Sequence, residues 1–167
     1  MKAQLALSMQ TQQQDRWCWA AVSVSVAGYF NTPGPTGGSW QQCEIVNAEL
    51  GQTTCCQNGS TSSCNQDWYL DRALQRVGHL ASGPNSGAMP FASVQAEINA
   101  NRPVGVRIGW FQGGGHFVVL RGYDDTGAFQ SLDVEDPWYG PSTYDYQQFA
   151  AGYQSGAGAW THTYPLA

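Results

Sequence analysis

The feature that most constrains this chain is the placing of its five cysteines: Cys43, Cys55, Cys56 and Cys64 crowd one short segment, while Cys18 stands apart. The adjacent Cys55 and Cys56 cannot bond each other without straining the peptide between them. Two disulfides therefore leave two connectivities open, Cys43 to Cys55 with Cys56 to Cys64, or Cys43 to Cys56 with Cys55 to Cys64. Each closes a loop of about ten to twenty residues, worth about 3 kcal/mol in the chain-entropy picture. A zinc site of four thiolates is the rival, but such sites space their ligands two to four residues apart in pairs, which adjacent cysteines fit poorly. Disulfides imply an oxidising compartment, and they make Cys18 the odd thiol out.

The 167 residues are enough for a sizeable core, and neither a linker nor an internal repeat divides them, so residues 1–167 are read as a single domain. Charged residues make up 11% of the chain, against roughly a quarter in an ordinary soluble domain. The net charge of −5 comes from scattered acids, which leaves no basic stripe and excludes nucleic acid as a partner. The longest apolar run, 20–30, is broken by Ser23, Ser25 and Gly28 and falls short of the roughly 20 residues that cross a membrane. No membrane partner is expected. Residues 1–10 lack the continuous apolar core of a signal peptide, so any export signal or propeptide is expected to have been removed or never to have existed.

The small and apolar residues of 17–30 predict a buried helix with Cys18 in its first turn. A second helix is expected over 39–50 with Ser39 as N-cap, and a third from the cap Asn65 to Val77, with Gly78 ending it. A short helix over 91–100 precedes Pro103. Strands follow at 104–108, 117–123, 128–134, 143–149 and 160–164. Helices first and antiparallel strands second give an α+β class with segregated layers.

A helix start offers unpaired N–H groups and the positive end of the dipole, which favour the thiolate form of a cysteine placed there. Cys18 occupies such a place, so it is a candidate nucleophile. Three histidines compete as its base. His79 follows a helix terminator, where it can cap carbonyls, and His162 sits in a Thr-His-Thr alternation that faces solvent. His116 follows Gly113, Gly114 and Gly115 and opens the apolar strand Phe117-Val118-Val119-Leu120. Glycines there allow backbone and substrate to approach closely. An imidazole that takes a proton at one nitrogen needs an acceptor at the other. Asp124, Asp125, Asp133 and Asp136 lie downstream; the first two form a turn, and the third alternates outward between Leu132 and Val134.

Gln12, Cys18, Trp19 and Ala20, with Gly115-His116-Phe117 and Asp136-Pro137, resemble the papain-like cysteine proteases. Papain and its lysosomal relatives carry another Cys three residues before the nucleophile and Gly with Ser or Ala between. Here Asp15, Arg16 and Trp17 stand instead. Trp-Cys-Trp-Ala-Ala is most similar to a bacterial branch, the proteases of plant-pathogen type III effectors and their secreted relatives, and more distantly to the bacteriocin-processing peptidase domains of exporters. The resemblance implies a papain-like fold, an N-terminal helical part packed on a C-terminal antiparallel sheet, and hydrolysis of a protein or peptide substrate outside the cell or in a host. It implies Cys18 as nucleophile, His116 as base, Asp136 as orienter and Gln12 as oxyanion donor, with Gln10, Gln13 and Gln14 as alternatives in register. It also implies Trp138 as a shield over the His–Asp bond. No metal-binding helix, phosphate loop or dinucleotide fingerprint occurs, so no cofactor is expected. Papain-like folds also host amidases, acyltransferases and silent binding modules, and those readings stay open.

Overall fold

The computed structural model describes residues 1–167. Its elements are β1 (Lys2–Gln4), α1 (Cys18–Tyr29), α2 (Gln42–Leu50), α3 (Leu70–Arg76), β2 (Asn85–Ser86), α4 (Phe91–Asn99), β3 (Val104–Trp110), β4 (Gly115–Asp124), β5 (Ser131–Glu135), β6 (Ser142–Asp145), α5 (Tyr146–Gly156) and β7 (Gly158–Pro165). One antiparallel sheet runs in the order β2-β7-β3-β4-β5-β6, and β1 adds to β4. The α+β class expected from the element order is the class observed.

Period-two geometry explains why β4 reads as an unbroken apolar run: neighbours point to opposite faces, and both faces are covered. Phe117 and Val119 join the core under α1, α2 and α3. Val118 and Leu120 join a second core with Phe91, Val94 and Ile98 of α4 and Phe149 and Tyr153 of α5. Helix α1 is buried from Cys18 through Ala27, as a helix apolar all round must be. Its polar interruptions are satisfied: Ser23 donates to the carbonyls of Trp19 and Ala20, and Ser25 accepts from the Gln10 N–H. Each large side chain taken fully out of water here contributes about 1.5–3 kcal/mol.

Several boundaries depart from expectation, each for a local reason. Ser39 does not cap α2; Gln41 does, in a reciprocal box with Glu44, while Ser39 pairs with Pro33. Helix α3 begins at Leu70, because the Asn65 side chain is engaged elsewhere, donating to Asp15 and accepting from the Arg16 N–H. The strand expected over 143–149 stops at Asp145, whose carboxylate accepts from the Gln148 N–H and starts α5. β1 was not foreseen. Of the two open connectivities, the structure has Cys43–Cys56 and Cys55–Cys64, leaving Cys18 as the free cysteine. No helix is long and apolar enough to cross a membrane.

Candidate active site

Cys18 begins α1, and its flanking indoles hold it there. Trp17 and Trp19 are buried, and their Nε1 atoms donate at 2.9 Å to the carbonyls of Cys64 and Gln66. Gly59 packs against the Trp17 ring so closely that a Cβ would lie 2.5 Å from it. The Cys18 N–H, at the helix start, has no backbone acceptor, the ordinary condition of a first-turn amide.

His116 enters from β4 just after the turn that joins it to β3, where the Trp110 N–H bonds the Gly114 carbonyl and Gly113 and Gly114 take positive φ. Its Nε2 lies 2.8 Å from Asp136 Oδ1, which leaves Nδ1 as the free ring nitrogen, and the ring shares its cleft with Cys18. Asp136 follows β5 and is 2% exposed. Its Oδ1 also accepts from the N–H groups of Trp138 and Tyr139, and its Oδ2 accepts from the Tyr153 hydroxyl at 2.7 Å. Burial alone pushes the imidazolium down, but the hydrogen bond to Asp136 and the nearby Cys18 side chain, aided by the charges of both, outweigh it and raise His116 to about 9. Burial likewise pushes Asp136 up, and there the bond and charge of His116, with the Tyr139 amide and the Tyr153 phenol, win and hold the carboxyl below its ordinary value.

Cys18 and His116 line a cleft of about 190 Å³, with Gln12, Asp15 and Asp67 on its wall, and Asp136 lies buried behind the imidazole. The Gln12 N–H donates to the Pro137 carbonyl at 3.0 Å, joining the segment before Cys18 to the Asp136 loop. Its side-chain amide departs from expectation: Nε2 donates to the carbonyls of Gln14 and Asp15, and Oε1 is buried without a partner. Gln10 and Gln13 are fastened by the buried Gln42, whose amide bonds Gln10, Thr11 and Gln13. That strut was invisible in the sequence, since its partners lie about thirty positions away.

Trp138 is the indole expected as a shield over the His–Asp pair. It is 55% exposed and contributes its N–H to Asp136 while its ring borders the cleft. The cover comes from Trp110, stacked on His116 at 5.8 Å, with Tyr139 edge-on at 6.3 Å and Tyr153 beneath. Gly158 makes room for Trp110: a Cβ there would lie 2.6 Å from the indole. The other candidates are elsewhere. His79 sits between Thr32 and the Ala167 carbonyl, and His162 contacts Thr161. Asp124 accepts from Thr126, Asp125 from Gln95, and Asp133 from Gln4 and Thr143. No group of three or more His, Cys, Asp or Glu side chains is arranged to hold a metal ion.

A family model described as papain-like cysteine protease AvrRpt2 matches residues 1–154. Among solved structures, digestive procathepsin L 3 of the Tenebrio molitor larval midgut superposes with a TM-score of 0.53 at 13% identity, covering 99% of this chain and 69% of that one, a likeness of fold. The Pseudomonas avirulence protein AvrPphB gives a TM-score of 0.46 at 10% identity, over 96% of this chain and 97% of its own. No protein of curated function matches the chain in sequence. With the family model spanning most of its length and a papain-like relative sharing its fold, the chain belongs to the AvrRpt2 family of papain-like cysteine proteases and is a cysteine peptidase.

Proposed function

We propose that this protein, as a single domain, hydrolyses internal peptide bonds with Cys18 as nucleophile, His116 as acid and base, and Asp136 as orienter. The observation that carries the reading is the pairing of His116 Nε2 with the buried Asp136 Oδ1 at 2.8 Å, on a ring that lines one cleft together with the free Cys18. Asp136 at Nε2 fixes the tautomer and orientation of the ring. His116 takes the thiol's proton, the sulfur attacks the amide carbonyl, and the oxyanion is met by the free Cys18 N–H and by Gln12. Because both Gln12 amide protons are engaged at rest, donation requires one backbone bond to be exchanged for the substrate oxygen. The imidazolium then protonates the leaving amine, and water, deprotonated by His116, hydrolyses the thioester. The two disulfides support action in an oxidising, extracellular setting, from which the protein would be delivered into a host.

Mass spectrometry of a peptide library incubated with the wild type and with Cys18→Ala tests the reading. Backbone cleavage by the wild type alone is the expected result. Side-chain mass shifts without cleavage would make the protein an amidase or acyltransferase, and cleavage retained in Cys18→Ala would remove Cys18 from the mechanism.

A further inference from the structure

Tyr153 is among the largest fully buried side chains of the molecule, and its hydroxyl has Asp136 Oδ2 as its acceptor at 2.7 Å. The division of labour on that carboxylate is unequal. Oδ1 receives His116 Nε2 and two backbone N–H groups, whereas Oδ2 receives the phenol alone. Without the phenol, one oxygen of a buried carboxylate would have no partner, and a buried charge left half satisfied is costly. The local backbone is bent to supply this contact. Helical geometry fails at Gly152, Tyr153 is extended, and Gln154 and Ser155 both take left-handed φ near +53° and +58°, a conformation that non-glycine residues hold only when the surroundings impose it. The bend turns the Tyr153 ring inward, parallel to Trp110, which is in turn stacked on His116.

We infer that Tyr153 is a positioning residue of the catalytic chain, its phenol fixing the Asp136 carboxylate so that Oδ1 stays aimed at His116. The inference rests on the catalytic reading of Cys18, His116 and Asp136 and adds a fourth member to it. The groups facing Asp136 are His116 from β4, the Trp138 and Tyr139 amides of its own loop, and Tyr153 from α5; Cys18 of α1 lies beyond the imidazole, and Tyr144 of β6 beside the phenol. Burial, and after it the charge of Asp136, push the phenol far above its ordinary range. It therefore remains a donor at every pH at which the enzyme works.

The test is Tyr153→Phe, which keeps the ring and its packing, measured alone and together with Asp136→Asn. Losing the donor makes the carboxylate easier to protonate. The acid limb of the kcat/KM profile should therefore move up by about one pH unit, while the basic limb, which belongs to His116, stays in place. At neutral pH kcat should fall about tenfold with KM little changed. In the Asp136→Asn background the added Tyr153→Phe should cost almost nothing, because its target charge is gone. A superimposable profile, a uniform loss at all pH, or an equal loss in both backgrounds would overturn the positioning role. Wild-type activity in Asp136→Asn alone would overturn that role together with the catalytic reading of Asp136, so the two failures are distinguishable.

Discussion

The Trp17 indole donates to the carbonyl of Cys64 at 2.9 Å, tying the residue beside the free cysteine to one end of the Cys55–Cys64 disulfide. The same loop supplies the Asn65 contacts to Asp15 and Arg16 and the Gln66 carbonyl that holds Trp19. The staple is thus a splint for the segment that carries Cys18. Replacing Cys55 and Cys64 together by Ser should lower stability by about 3 kcal/mol and also lower kcat. Replacing Cys43 and Cys56 should cost similar stability with a smaller loss of kcat, since that bridge fastens α2. Denaturant midpoints and kcat of the two double variants check this; equal losses of kcat would break the link between loop and nucleophile.

The sequence singled out Cys18 and His116 as candidates because their cues are local, a helix start in one case and a glycine-led apolar strand in the other, with the papain-like resemblance of the flanking residues joining the two. Asp136 was legible through the Asp-Pro resemblance. What escaped is what depends on distance along the chain. Trp110 covers His116 through a sheet register that pairs Ile108 with His116, and no window of sequence contains both. Tyr153 was hidden because Tyr144, Tyr146 and Phe149 read as a continuing strand, and the Gly152 and Ser155-Gly156 turn signals show where the chain bends but not which way the Tyr153 ring turns. Asp145 three residues before Gln148 was a usable cap signal, outweighed by those aromatics. Trp138 was legible by its place after Asp-Pro, but its backbone bond to Asp136 and the exposure of its ring were not.

The raised value of His116 sets the pH range. Asp136 and Cys18 favour the imidazolium, whose stabilising effect is complete below its unfolded value of about 6.5 and lost as pH rises through about 9. The basic limb of kcat/KM should lie near pH 9. Asp136→Asn keeps an acceptor for Nε2, and so the ring's orientation, but removes the charge. Its basic limb should move down toward 6.5 with kcat reduced, by up to about 10⁴ if the amide imposes the wrong tautomer on the ring, and Asp136→Ala, which also frees the ring, should lose kcat as well. Asp136 works oppositely: its contribution is present above about 4 and lost as pH falls through its lowered folded value. Initial rates from pH 3 to 10 check both limbs.

Trp110 and Trp138 should separate in kinetics. The stacked Trp110 keeps water from the His–Asp pair and offers its ring face to the imidazolium, an interaction worth about 0.5–2 kcal/mol. Trp110→Ala should therefore lower kcat about tenfold and shift the basic limb down. Trp138→Ala removes an exposed ring from the cleft border, so it should raise KM while leaving the profile in place. A Trp138 variant with a displaced basic limb would restore the shielding role to that residue.

Gln12 can act on the oxyanion or on the backbone, and the two actions are separable by chemistry. Its Nε2 bonds close the turn over Gln14 and Asp15, next to Cys18, so Gln12→Ala could slow the enzyme merely by loosening that turn. Peptide hydrolysis develops an oxyanion, for which one donor is worth about 10²–10³ in kcat. Alkylation of Cys18 by iodoacetamide displaces iodide and develops none, yet it depends equally on the thiol's position and on its partnership with His116. A donor role therefore gives Gln12→Ala a hydrolysis rate down by about two orders of magnitude with alkylation at the wild-type rate. Parallel losses in both reactions would make Gln12 a brace for the turn and leave the Cys18 N–H as the remaining oxyanion donor.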